Sequence, residues 1–114
     1  VLEQEFAPVV RNDPALTERM TATFQRVLGM DNVLAQPPIM GSEDFGQFGL
    51  NGRIPAKMFR VGAANPAQLA EARRTGTALP SPHSPLFAPD TEPTIRTGVV
   101  AMSAAALDLL RPAN

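Results

Sequence analysis

The chain has 114 residues, 44% of them apolar, and its ten basic and eleven acidic side chains leave a net charge of −1. A near-neutral chain has no basic field to hold a phosphate backbone, and no apolar run reaches the ~18 residues of a membrane span, so nucleic acid and membrane both drop out as expected partners. With no Cys and a single His, a disulfide framework, a thiolate metal site and a site built from several imidazoles are excluded.

This length suits one compact domain, which buries roughly two-thirds of the surface of its unfolded chain. Residues 1–10 mix Val, Leu and Phe with Glu3 and Glu5 and read as a strand ended by Pro8 or by Asn12-Asp13-Pro14. The first residue is Val, not Met, and the expectation drawn from it is a processed amino end or a piece of a longer polypeptide.

Asp13-Pro14 predicts a helix start, because the carboxylate can accept from an unpaired backbone N–H and proline forfeits nothing at the first helical position. Leu16, Met20, Phe24, Val27 and Leu28 then share one helical face, and Gly29 ends it. Asn32-Val33-Leu34-Ala35 is a candidate short strand, followed by Gln36-Pro37-Pro38, which cannot be helix interior. In Gly41-Ser42-Glu43-Asp44-Phe45, Ser42 can cap a short helix that Phe45 and Phe48 would anchor to the core. Lys57 to Val61 is the best strand, and Asn65-Pro66-Ala67-Gln68 predicts a capped surface helix with a thin stripe, Leu69 and Ala72, closed by Gly76.

Residues 80–93 hold five of the twelve prolines. They lead into a further helix start at Thr91-Glu92-Pro93, after which Ile95, Val99, Met102, Ala106, Leu109 and Leu110 mark a face of about five turns. A proline segment between two packed elements is expected to be an ordered loop. Helix, strand, short helix, strand, helix, long helix is an α/β order. Two or three short strands make a marginal sheet, so the chain reads as part of a larger one.

Two places could carry chemistry. His83, in Pro82-His83-Ser84-Pro85, is the sole imidazole, and its flanking prolines remove backbone freedom that a ligand or proton carrier would otherwise lose. Alone it is also what an ordinary loop histidine looks like, since a metal needs about three or four protein ligands. Gly41, Ser42 and Glu43 precede a helix start that can present N–H groups to an anion such as a substrate carboxylate, or can simply initiate the helix. A Ser42–His83–Asp90 triad fails the nucleophile-elbow pattern, because Met40 and Asp44 stand where glycines belong. Met20 and Met102 lie on helical stripes and are expected in the core; Arg53, Lys57 and Arg60 are expected on a solvated edge.

Taken together, Pro37-Pro38-Ile39-Met40-Gly41-Ser42-Glu43-Asp44-Phe45 and His83-Ser84-Pro85-Leu86-Phe87 resemble two segments of the metal-dependent amidohydrolases related to hippurate hydrolase, indole-acetyl-amino-acid hydrolases, aminoacylase and the dinuclear-zinc carboxypeptidases. Pro82 stands where that family usually has leucine. The resemblance implies the carboxyl-terminal part of a metallo-aminopeptidase/carboxypeptidase-like α/β catalytic domain, helices packed on a few strands of a larger mixed sheet. Residues 1–11 would end an inserted lid domain, which often serves dimerisation, and residues 12–114 would belong to the catalytic domain.

By the same resemblance His83 is a metal ligand, and Gly41, Ser42 and Glu43 line the substrate site. No catalytic residue is carried over, because the Glu-Glu pair with its general base is absent. The implied cofactor is a divalent metal, zinc foremost, then manganese, cobalt or nickel, held only by the full-length enzyme. The implied reaction is hydrolysis of N-acyl amino acids or related amides or peptides by a metal-bound water. The implied partner is the missing part of the same polypeptide, and the piece alone is expected to be inactive. A self-standing α/β binding module, with the proline segment facing a partner, is the competing expectation.

Overall fold

The computed structural model describes residues 9–41 and 43–112. The strand expected over residues 1–10 falls almost wholly outside them. Helix α1 (Pro14–Leu28) begins as its sequence dictates: Asp13 Oδ1 accepts from the Leu16 N–H at 2.8 Å, and Pro14 takes the first helical position. Gly29, at φ 91°, ends the helix in a conformation that side chains rarely adopt. Met20 and Phe24 are buried, with Thr23 between them. Full burial of each large side chain contributes about 1.5–3 kcal/mol.

Helix α2 (Pro66–Thr75) is capped by Asn65 and closed by Gly76 in the left-handed region. It buries no residue, as its thin stripe predicts. Helix α3 (Thr91–Leu109) has the expected five turns and packs along α1.

Its packing face is not the expected one. Thr94, Thr97, Gly98, Ala101, Ala104, Ala105 and Asp108 turn inward, and Ala101 is 1% exposed. The stripe Ile95, Val99, Met102, Ala106, Leu109 and Leu110 faces outward, with Met102 59% exposed. Small side chains on α3 give room for the large ones of α1, so Met20 and Phe24 fill the space over Ala101 with Leu16, Leu28 and Ala105 around them. Of the two methionines expected in the core, Met20 is there and Met102 is not.

At the end of this contact the Arg19 Nε donates to Asp108 Oδ2 at 2.6 Å, its Nη2 donates to the Asp108 carbonyl, and Arg26 stands 3.9 Å from Asp108 Oδ1. The Arg19 hydrogen bond holds the Asp108 carboxyl below its ordinary value against a smaller opposing effect of desolvation, with Arg111 and Arg26 adding to the lowering.

The described residues contain no strand. Met30–Asn32 form a 3-10 turn where a strand from Asn32 was expected, and residues 57–61 belong to no strand or helix. A strand exists only when a neighbour accepts its ladder, and here the neighbour is a side chain. The Asn12 amide donates to the Met58 carbonyl at 3.0 Å and accepts from its N–H at 2.8 Å, while the Asp13 N–H donates to the Ala56 carbonyl at 2.9 Å. This bracket docks Phe59 on Phe24, ring centroids 4.8 Å apart. The sheet of the expected α/β fold therefore has no counterpart among these residues.

The chain is spread thin. Its extents are 48 × 48 × 22 Å, and 22 Å is about two helix diameters. The radius of gyration is 16.8 Å, against about 13 Å for a compact domain of this length. The accessible surface is 9671 Å², against about 6,100 Å² for a folded monomer of this mass. That corresponds to burial of about 45% of the unfolded surface, short of the two-thirds expected of a complete domain.

Candidate functional site

His83 sits on a doubly turned loop. The Ser84 N–H donates to the Ser81 carbonyl at 2.8 Å, and the Phe87 N–H donates to the Ser84 carbonyl at 3.0 Å. In each four-residue turn, Ser81–Ser84 and Ser84–Phe87, proline takes the second position, where its φ is already that of the turn. Pro82 in place of leucine thus has a local reason. His83 takes the third position of the first turn, exposed, and its ring makes no hydrogen bond among the described residues. Ser84 Oγ accepts from the Leu86 N–H at 3.2 Å and reinforces the second turn. The proline segment is a loop, as expected, with two hydrogen-bonded turns over residues 81–87.

The second segment is shaped differently from expectation. A 3-10 helix, Asp44–Gly52, follows Glu43, whose Oε1 accepts from the Phe45 N–H at 3.2 Å. Glu43 is therefore the cap, and Ser42, expected in that role, lies outside the described residues. Phe45 and Phe48 pack against each other with rings tilted by 46° and centroids 5.7 Å apart, and Phe48 is 71% exposed, so the pair does not anchor this segment to the core. Gly41 is exposed, and a Cβ there would meet Ile39 Cδ1 at 3.6 Å, an ordinary contact.

No hydrogen bond or ion pair among the described residues joins Gly41 or Glu43 to His83. The Ser42–His83–Asp90 triad gains no support from the described residues either: no hydrogen bond joins His83 to Asp90, whose carboxylate accepts from the Asn65 amide at 2.8 Å. Sequence reading missed this bond; the one signal for it was the Asn65 cap motif, which does not reveal a partner 25 residues away.

Of the expected solvated edge, Lys57 departs: it is half-buried, and desolvation lowers its ammonium below the usual lysine range. Between α2 and the His83 loop runs an open apolar groove of about 700 Å³, walled by Ala67, Ala72, Leu79, Leu86 and Phe87. Among the described residues no three His, Cys, Asp or Glu side chains gather where they could hold a metal ion. His83 can offer one bond, and the described residues do not make a metal site by themselves.

Residues 1–77 match the model of peptidase family M20/M25/M40. That stretch includes Gly41, Ser42 and Glu43 and ends before His83. Over 85 residues the chain is 34% identical to the IAA-amino acid hydrolase ILR1-like 4 of Arabidopsis thaliana, a stretch that is 75% of this chain and 17% of the plant protein. The chain thus spans less than a fifth of the length of this curated relative. No solved structure matches it. The chain belongs to the M20/M25/M40 family.

Proposed function

We propose that this chain, as a member of the M20/M25/M40 family, is the carboxyl-terminal portion of the catalytic domain of a divalent-metal-dependent amidohydrolase. Its substrates are N-acyl amino acids or related amides. The observation that carries the reading is the surface: 9671 Å² accessible, about 3,600 Å² more than a complete monomer of this mass exposes. Large apolar side chains on three segments lie exposed on it, including Ile39, Phe48, Leu86, Ile95 and Val99. Exposed apolar area on this scale marks faces that other polypeptide covers, and in this proposal that polypeptide is the rest of the same enzyme, its lid included. The relative's name, an IAA-amino acid hydrolase, supports the substrate class.

Within that enzyme His83 supplies one imidazole to a divalent ion, zinc foremost. The ion, when bound, supplies an activated water for hydrolysis. The remaining ligands and the general base lie outside these 114 residues, so no step of the reaction is assigned to this chain's residues. Its own contribution is geometric. The two proline turns hold the imidazole in the open, and the segment Gly41-Ser42-Glu43 is assigned to the carboxylate end of the substrate on the strength of its sequence.

Titration of the purified chain with zinc is expected to show no tight site and no amide hydrolysis. A tight one-to-one site would overturn the proposal. In the longer enzyme, His83→Ala is expected to abolish activity while leaving the stability of this portion nearly unchanged, because the ring is exposed. A coding sequence upstream of Val1 without paired His, Asp or Glu ligand motifs would equally refute it.

A further inference from the structure

The segment that carries His83 leaves and returns at one point, and two side chains make that junction. Asn65 Oδ1 accepts from the Ala67 N–H at 3.0 Å and the Gln68 N–H at 3.4 Å, capping α2. The Nδ2 of the same amide donates to Asp90 Oδ2 at 2.8 Å. Asp90 is the residue before α3, yet its carboxylate makes no bond to that helix. Pro93 removes one of the two usual donors: it occupies the third helical position and has no N–H, which leaves only that of Glu92 for a capping carboxylate. Asp90 instead reaches back to Asn65. A second bond closes the same point, the Asp90 N–H donating to the Ala63 carbonyl at 2.8 Å.

From Asp90 back to His83 the backbone has little freedom. Pro82, Pro85 and Pro89 each hold φ near −65°, and the Ser81–Ser84 and Ser84–Phe87 bonds hold the turns between them. With the path itself stiff, the junction decides where the imidazole stands. A functional side chain has to be held to within about 0.5 Å of its working geometry.

We propose that Asn65 and Asp90 are positioning residues that set His83 in place, an inference that rests on reading His83 as a ligand. Neither touches the ion or the substrate. They act through the loop.

Two variants of the 114-residue chain test this. Asn65→Asp keeps an oxygen to cap α2 but removes the Nδ2 donor and sets two carboxylates against each other. Combining Asn65→Asp with Asp90→Asn restores one donor and one acceptor in the reverse order. Measured by NMR, amide exchange at Ser84, Phe87 and Asp90 is expected to quicken about tenfold or more in the single variant, the loss of one charge-assisted hydrogen bond. In the double variant it is expected to return to within about threefold of wild type, with helix content unchanged in both.

Unchanged exchange in Asn65→Asp, or exchange in the double variant as fast as in the single one, overturns the proposal. If the single variant unfolds, the double variant decides alone: near-wild-type exchange supports the junction and fast exchange refutes it. In the longer enzyme, metal affinity is expected to fall about 10–100-fold in Asn65→Asp, the usual effect of removing a ligand's support, and to recover in the swap. Full metal affinity and activity in His83→Ala would sink the ligand reading while leaving the exchange result standing, so the two failures are distinguishable.

Discussion

Which face of α3 packs is open to direct test at two adjacent residues. Ala101 is 1% exposed against Met20 and Phe24, whereas Met102, one residue on, is 59% exposed. Ala101→Leu forces three more carbons into a filled contact, and overpacking of this kind costs about 1–3 kcal/mol. Met102→Ala removes a side chain already more than half in water. Of the ~2–5 kcal/mol that a fully buried methionine would lose, about 1 remains, partly offset by the better helix propensity of alanine. Urea unfolding followed by far-UV circular dichroism reads both as shifts of the midpoint at constant slope. Ala101→Leu is expected to shift it further. A larger shift in Met102→Ala would refute this packing, because it would mean that α3 meets α1 through its large stripe and not through its small residues. In the longer polypeptide, where that stripe is expected to be covered, the cost of Met102→Ala should rise into the full ~2–5 kcal/mol range.

Asp13→Ala removes the cap of α1 and should cost about 1 kcal/mol in the same unfolding assay, with Asp13→Asn recovering most of it. Acid should loosen the α1–α3 contact through Asp108. Its carboxyl titrates lower in the folded chain than in the unfolded one, so its stabilisation is complete above the ordinary Asp range near pH ~4 and fades as pH falls through the lowered value. The difference in stability between wild type and Asp108→Asn should accordingly stay level above that range and shrink below it. A difference that grew on acidification would contradict the assignment.

Much of the local structure was legible in the sequence because its causes are local. Asp13-Pro14, Asn65-Pro66 and Gly76 act on backbone groups within a few residues, and the helices they bound appear where expected. His83 between prolines likewise needed nothing remote to form its turns. The resemblance of the Gly41–Phe45 segment to a metal-dependent amidohydrolase agrees with the family to which the chain belongs.

Three features were not legible. The stripe Ile95-Val99-Met102 is periodic, but periodicity shows that a face is apolar and not which neighbour it meets. Residues 57–61 have strand composition, but a ladder needs a second strand, and the Asn12 amide took that place. Nothing in the sequence around Asp90 signals that the fold brings Asn65 to it from 25 residues away. Sequence alone thus determined the α-helices, since short-range sterics and hydrogen bonding act within a few residues, and its motifs pointed to the family. Tertiary structure alone decided which face of α3 is buried and what the Asp90 carboxylate holds, because both depend on groups brought together only when the chain closes on itself.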